Sequence, residues 1–202
     1  MSTKGSEMAR PADRRRRAKT LAAAADYVLE HGLAGLSLRP LAGALGTSTR
    51  MLLYDFTSKE ELIMAVLAEV RRREAGMLAE HASISGASGP ELVRAVWDWA
   101  SHADRAPFMR LFFEVYIQAM AHPGDRSPRG QAMVTEWLDQ FGAALGGTPA
   151  DAADTAPATL VIAVLRGLLL DRLSTGDEER TDRALEQFAR LLAGQVQRRG
   201  PQ

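Results

Sequence analysis

The sequence contains no cysteine, which excludes disulfide bonds, thiol chemistry and any metal site built on thiolate ligands. It also lacks an apolar run long enough to cross a bilayer, because the most apolar stretch, residues 160–165, is followed by Arg166 and then by Asp171 and Arg172. The first twenty residues are polar and rich in arginine, without the apolar segment of a signal peptide. We therefore expect a soluble cytoplasmic protein.

Enzyme motifs are missing as well. The chain has no P-loop, no G-x-G-x-x-G and no G-x-S-x-G pattern. Its four histidines show no metal-ligand spacing, and its acidic residues are scattered without an obvious catalytic pair. The sequence therefore predicts no catalytic residues, no cofactor and no metal.

Strand-like alternation of useful length is absent, whereas helical periodicity recurs along the chain. Hydrophobic residues make up 46% of the 202 residues, enough for one large or two small domains with a substantial core. We predict an all-α protein of about nine helices. The expected helices are Asp13–His31, a pair within Ser37–Asp55, Ser58–His81, Pro90–Asp104, Pro107–His122, Gln131–Leu145, Pro157–Leu173 and Glu178–Val196.

The net charge of zero conceals an asymmetry along the chain. Residues 1–59 hold 10 basic and 5 acidic side chains, whereas the remainder holds 15 basic and 20 acidic ones. This is either ordinary fluctuation or the mark of an N-terminal part that meets phosphate. We expect a mobile basic arm over 1–12, a helix-turn-helix domain over 13–60 continuing into a connector helix at 58–81, and a helical domain over 83–202.

The helix-turn-helix pattern begins at Ser37, which we expect to cap a short helix containing Leu41 and Ala42 on its apolar face. Gly46 is placed to end that helix in a left-handed conformation. Ser48 is then placed to cap a second helix after the short gap that is typical of this motif.

The second helix of the motif is predicted over Thr49–Asp55, with Leu52 and Phe56 facing inward together. Ser58 and Glu61 have the spacing of a capping box, which indicates the start of a longer helix.

This stretch resembles the DNA-binding domain of the TetR family of bacterial repressors. The resemblance rests on Ser37, Arg39, Leu41, Ala42, Gly46, Ser48, Leu52, Phe56, Ser58, Lys59, Glu60 and Leu62. Two positions depart from the family pattern: Leu53 stands where tyrosine is usual, and Asp55 where histidine or tyrosine is usual. Tyr54 is the neighbouring phenol, and Leu53 is open to two interpretations, contact with a thymine methyl or packing on the first helix.

The expected DNA-binding residues are Arg39, Ser48, Thr49, Arg50, Tyr54 and Lys59. Arg50 is the best candidate for a base contact, because its planar fork matches guanine O6 and N7. Lys59 lies at a helix N-terminus, where free amides already favour an anion. The resemblance implies that Lys59 and Arg39 contact phosphate and DNA as their family counterparts do.

For the C-terminal part, the resemblance implies a ligand cavity within helices five to seven and a homodimer formed by the last two helices. The ligand-binding candidates are Trp97, Phe108, Phe112, Tyr116, Met120, Trp137 and Arg166. Arg166 requires a carboxylate such as Glu114, a ligand or a route to the surface. The apolar stretch Leu160–Leu170 and the stripe through Leu185 and Leu191 are dimer-interface candidates or ordinary monomer core.

Together these features predict a ligand-responsive, homodimeric transcriptional repressor that binds a palindromic operator on double-stranded DNA. A mostly apolar small-molecule effector would release it. Two alternatives remain: a regulator without a small-molecule inducer, and an all-α enzyme or interaction module with a vestigial helix-turn-helix.

Overall fold

A computed structural model describes residues 11–80, 87, 89–121 and 156–198. Within these ranges the chain forms eight α-helices, one short 3-10 helix and no strand, which confirms the all-α prediction. The helices are α1 (Pro11–His31), α2 (Leu38–Ala44), α3 (Thr49–Phe56), α4 (Lys59–Glu80), α5 (Gly89–Ser101), α6 (Ala106–Ala121), α7 (Ala156–Thr175) and α8 (Glu178–Arg198). The helix predicted at Gln131–Leu145 lies outside the described residues, as does most of the predicted arm.

The chain divides into two compact units, Met1–Glu74 and Ala75–Gln202. The N-terminal unit contains α1, α2, α3 and most of α4 around one small core. The buried hydrophobic residues of this unit are Ala24, Ala25, Val28, Leu33, Leu36, Leu41, Ala42, Leu52, Phe56, Leu62, Val66 and Val70. The predicted inward pair, Leu52 and Phe56, is almost completely buried.

Local signals explain where the first helices begin and end. Helix α1 starts at Pro11, two residues before the predicted position, because proline is well suited to a first helical turn. It ends at Gly32, which has a left-handed φ of 76° and donates its amide to the Val28 carbonyl. Ser37 is the N-cap residue of α2, as predicted, and has an extended backbone, but its side chain makes no capping hydrogen bond.

The C-terminal unit is built on α5, which packs extensively against α8 and also contacts α6 and α7. Its largest core residues include Trp97, Trp99, Met109, Ile162 and Leu165. Helix α5 stops at Ser101 rather than at the predicted Asp104. The physical reason is His102, whose backbone is extended and whose Nδ1 accepts a hydrogen bond from the Asp104 amide, starting the 3-10 turn Ala103–Arg105.

Candidate DNA-binding surface and ligand site

The backbone conformation of the turn between α2 and α3 determines where α3 begins. Gly46 has a left-handed φ of 64°, a conformation that costs other residues free energy. The Thr47 amide donates to the Ala42 carbonyl at 2.9 Å, and the Ser48 hydroxyl accepts from the Met51 amide at 3.2 Å. Ser48 is therefore the N-cap of α3 as predicted, and its hydroxyl hydrogen stays available to a further acceptor.

Helix α3 presents one buried and one open face. Leu52 and Phe56 lie in the core, whereas Thr49, Arg50 and Tyr54 are exposed, Tyr54 to 72%. Leu53 is 41% exposed. A helix in this position of the motif is the one that enters the major groove, so its open face carries the predicted DNA-binding residues.

The remaining predicted DNA-binding residues flank α3. Arg39 is exposed on α2, and Lys59 is the first residue of α4. That helix start is fixed by the predicted cap, since the Ser58 hydroxyl accepts from the Glu61 amide at 3.0 Å. Within the described part of the chain, Arg39, Arg50 and Lys59 have no ion-pair partner, so their charges are open to an external anion.

Asp55, one of the two departures from the family pattern, is not part of this open surface. Its side chain is only 6% exposed, and its carboxylate accepts a hydrogen bond from Arg16 of α1 at 3.0 Å. Arg17 donates to the Asp55 backbone carbonyl at 2.9 Å, and its guanidinium lies 4.6 Å from the centre of the Phe56 ring. Two arginines thus fasten the C-terminal end of α3 to α1.

A second arginine contact joins α1 to α4. Arg73 donates to Asp26 of α1 at 2.6 Å and to Glu69 of its own helix at 2.8 Å. Arg72 donates to the same Glu69 carboxylate, and these two guanidinium groups hold the pKa of Glu69 at about 2. Arg73, in the run of three arginines at 71–73, therefore makes a structural contact between α1 and α4.

The C-terminal unit contains an open groove of about 490 Å³ between α6 and α7. It is lined by Phe113, Tyr116, Ile117, Met120, Thr159, Ile162, Ala163, Arg166, Gly167 and Leu170. A separate internal cavity of about 20 Å³ lies between α5, α6 and α7, and Phe112 and Arg166 are in its wall. Arg166 is therefore common to the groove and the cavity.

The structure brings together only some of the predicted ligand-binding residues. Tyr116, Met120 and Arg166 line the groove, and Phe112 lines the cavity beside it. Trp97 is instead buried in the core, where its indole nitrogen donates to Asp182 at 2.8 Å. Phe108 packs edge-on against Trp99, 6.4 Å between ring centres, and Trp137 lies outside the described residues.

Apart from Arg166, the α7 side of the groove was missed from the sequence. Its other residues follow one another at helical spacing but are small or apolar: Thr159, Ile162, Ala163, Gly167 and Leu170. That composition fits a dimer face as well as a ligand site. The one sequence signal that distinguished this side was the arginine within an otherwise apolar stretch.

Arg166 has no carboxylate partner in the described part of the chain. Its guanidinium lies 5.5 Å from the centre of the Phe112 ring and 5.3 Å from that of Tyr116. Burial lowers the pKa of Arg166, and the Tyr116 phenol acts in the opposite direction. The predicted pair with Glu114 is not among these interactions.

Residues 21–66 match the family model for bacterial regulatory proteins of the tetR family. The chain is also similar in structure to the multidrug binding protein EbrR, solved with imidazole. The two are 28% identical with a TM-score of 0.65, over 95% of this chain and 97% of that one. The N-terminal unit therefore carries a DNA-binding domain of the TetR family. The fold as a whole is TetR-like, with this helix-turn-helix domain followed by a C-terminal helical domain.

Two other solved structures share this fold. A family member from Streptomyces coelicolor A3 is 27% identical with a TM-score of 0.63, over 88% of this chain and 98% of that one. EbrR with ethidium is 26% identical with a TM-score of 0.65, over the same shares of the two chains. No curated protein sequence matches the chain significantly. None of the described helices has the length and apolar composition needed to span a membrane.

Proposed function

We propose that this TetR-family protein is a cytoplasmic repressor that binds a palindromic operator as a homodimer and is released by a mostly apolar small molecule. The observation that carries the proposal is the contrast among the cations of the N-terminal unit. Arg16, Arg17 and Arg73 are held by internal partners, whereas Arg39, Arg50 and Lys59 around α3 have none among the described residues. Arg39 and Arg50 are exposed and Lys59 is half-buried, and cations beside a recognition helix suit a phosphate backbone and base edges.

The two principal cations have different proposed roles. Arg50, in the first turn of α3, is assigned to a base edge, because residues there approach the bases in helix-turn-helix proteins. Lys59, at the first turn of α4, is assigned to a phosphate, which carries no base identity. Arg39, Ser48, Thr49 and Tyr54 complete the contact surface.

The test begins by sequencing the genomic DNA fragments that the purified protein retains, which defines the operator. Binding of Arg50→Ala and Lys59→Ala is then measured on operator and scrambled DNA. Lys59→Ala should weaken both alike, whereas Arg50→Ala should lose an additional ~1–3 kcal/mol at one base pair of the operator. Arg110→Ala, which removes an exposed cation from α6, is the matched control. Equal losses on both DNAs would contradict the base contact of Arg50.

Dimerisation is proposed through α7 and α8. Leu160 and Leu170 of α7 are 54% and 47% exposed, and Leu191 of α8 is 59% exposed, which is a large apolar surface for one chain to leave in water. Leu169 lies in the core of its own unit and is excluded from this role. A palindromic operator requires two copies of the motif related by twofold symmetry.

A charge at this surface should break the dimer. We expect Leu160→Asp to sediment as a monomer at micromolar concentration. Ala23→Asp, on the exposed side of α1, should still sediment as a dimer. The native protein sedimenting as a monomer would contradict the dimer proposal.

The effector site is proposed to be the groove between α6 and α7. The EbrR structures with malachite green and ethidium support a small-molecule site in this type of protein. Helix α4 carries Lys59 in its first turn and crosses from the N-terminal to the C-terminal unit after Glu74, which makes it the proposed route of coupling. Regulation of this kind usually involves roughly 1–3 kcal/mol of coupling.

Coupling is reciprocal, so saturating operator should weaken effector binding by the factor by which the effector weakens operator binding. Fluorescence titration of a bound dye with and without operator measures this factor. An affinity that operator leaves unchanged would exclude the mechanism.

A further inference from the structure

Among the described residues that line the α6–α7 groove and the small cavity beside it, Arg166 is the only one whose side chain carries a formal charge. It is half-buried, and its Nη2 atom is shut off from solvent without a hydrogen-bond partner. A buried donor that meets neither water nor an acceptor is unfavourable, and more so when it carries charge. The groove therefore contains a cation with unused hydrogen-bonding capacity.

Other arginines of the C-terminal unit are arranged differently. Arg94 holds Glu186 at 2.8 Å, Arg172 holds Asp182 at 2.9 Å, and Arg180 holds Asp171 at 2.6 Å. Arg172 also lies over an aromatic ring, 5.7 Å from the centre of Trp97, and still has a carboxylate. Stacking on an aromatic ring therefore does not by itself explain why Arg166 has no carboxylate partner in the described part of the chain.

The position of Arg166 within the groove suits an external anion. Apolar side chains that are largely exposed, namely Ile117, Met120 and Leu170, surround the open part of the groove. A volume of about 490 Å³ lies within the range of small-molecule sites. An apolar body placed on these residues would bring a single polar group to the guanidinium, which forms a strong charge-assisted hydrogen bond with a carboxylate.

We propose that the effector of this protein is an apolar molecule with one anionic group, such as a carboxylate, which binds Arg166. This inference rests on the proposed role of the groove as the effector site. It sets the chain apart from EbrR as solved with ethidium, a cationic dye. Small anionic lipids and aromatic acids both satisfy the chemistry.

The test uses three probes with the same alkyl chain and different head groups: decanoate, decanol and decyltrimethylammonium. Their binding to the full-length protein is measured by calorimetry near neutral pH, below micelle-forming concentrations. Decanoate should bind at least about tenfold more tightly than either of the others, a factor that corresponds to ~1.4 kcal/mol. Equal binding of the three probes, or a preference for the cation, would overturn the proposal.

Variants of the protein then test whether Arg166 causes the preference for decanoate. Arg166→Gln should bind all three probes with similar affinity, and Arg166→Lys should restore part of the preference for decanoate. Arg110→Gln makes the same change of charge at an exposed site of α6 and should leave the preference intact. If Arg166→Gln keeps the preference, Arg166 is not the anion-binding group.

Two further measurements separate this proposal from its alternatives. Operator binding measured without any probe tests the proposed regulator function alone. If the protein binds operator but prefers decyltrimethylammonium to decanoate, only the proposed anionic class of effector is refuted. Sedimentation of Arg166→Gln tests whether Arg166 serves a second copy of the chain instead. A monomeric variant of a dimeric native protein would assign Arg166 to the interface and overturn the ligand proposal.

Discussion

Two arginines of this protein, one in each unit, lie over tyrosine rings but differ in their counter-ions. Arg16 is 5.8 Å from the centre of the Tyr54 ring, and Arg166 is 5.3 Å from that of Tyr116. The Nη atoms of Arg16 donate to Asp13 at 2.9 Å and to Asp55 at 3.0 Å. These carboxylates raise the pKa of Arg16, whereas burial lowers the pKa of Arg166.

The difference shows that an aromatic face does not replace a carboxylate. The Nε atom of Arg16 also lacks a partner, yet its charge is balanced by two acids and its role is to hold α1 and α3 together. Arg166 holds no charged group in the described part of the chain. An arginine is therefore part of the architecture in the N-terminal unit, whereas we propose that an arginine binds the effector in the C-terminal unit.

The largest effect is expected when Arg16 loses its long-range partner. Asp55→Ala leaves Arg16 with only Asp13 and removes the contact that fixes the C-terminal end of α3. We expect the unfolding midpoint to fall by several degrees and operator affinity to fall about tenfold, because α3 is no longer held in its position. Thermal unfolding and operator titration at fixed protein concentration measure the two effects.

Asp98→Ala, which removes an exposed carboxylate from α5, is the control for the change of charge. Amide hydrogen exchange should become faster in α3 of Asp55→Ala and stay unchanged in α3 of the control. Unchanged exchange in Asp55→Ala would mean that Arg17 alone, through the Asp55 carbonyl, fastens this helix.

The local parts of this architecture were predictable from the sequence. The left-handed Gly46, the Ser48 and Ser58 caps and the inward pair Leu52 and Phe56 all depend on neighbours within a few residues. The bond between Arg16 and Asp55 joins residues 39 positions apart. Asp55 was recognised as unusual, but no local pattern indicates which side chain it meets.

The candidate ligand site was predicted less completely for the same reason. Aromatic spacing identified Phe112 and Tyr116, yet it equally selected Trp97, which packs in the core and donates its indole hydrogen to Asp182 of another helix. The groove wall on α7 follows from how α6 and α7 pack, which composition alone does not determine. Arg166 was identified because a charge in an apolar helix requires an explanation wherever that helix lies.

Removing the positive charge of Arg166 should have an effect opposite to that of Asp55→Ala. Arg166→Met keeps an apolar stem against Phe112 and removes the unsatisfied donor. We expect stability to rise by ~0.5–1 kcal/mol, a value reduced to allow for the partial solvent exposure of this side chain and the loss of its ring contacts. Denaturant unfolding measures the change, and a clear loss of stability would show that the ring contacts outweigh the unmet hydrogen bond.

The contribution of Glu69, in the N-terminal unit, to stability is expected to depend on pH, unlike that of Arg166. Arg72 and Arg73 lower the pKa of Glu69 to about 2 from its ordinary value of 4.5. A lowered pKa means that the stabilisation is present above the ordinary value and is lost as pH falls towards the lowered one. Glu69→Gln should therefore be less stable near neutral pH by up to ~1 kcal/mol, and this difference should vanish as pH falls.

Unfolding curves of the native protein and Glu69→Gln between neutral pH and about 2 check the sign and the window. Arg166 has no carboxylate partner in residues 11–80, 89–121 and 156–198, so the difference in stability between Arg166→Met and the native protein should stay constant over the same range. A difference for Glu69→Gln that does not depend on pH would mean that its hydrogen bonds matter but its charge does not.

The smallest change in stability is expected when Arg166 is given the partner that Arg16 already has. Asp13 lies three residues before Arg16, and Ala163 lies three residues before Arg166 on the exposed, groove-lining side of α7. In Ala163→Glu a carboxylate comes within reach of the guanidinium, and pairs at this spacing contribute ~0.2–0.5 kcal/mol.

The carboxylate of Ala163→Glu should also compete with an external carboxylate for Arg166, so this variant should lose most of its preference for decanoate over decanol. Ala163→Gln has nearly the same shape without the charge and should keep that preference, which separates competition for Arg166 from blockage of the groove. Equal loss in both variants would indicate blockage, whereas an unchanged preference in Ala163→Glu would show that decanoate does not bind through Arg166.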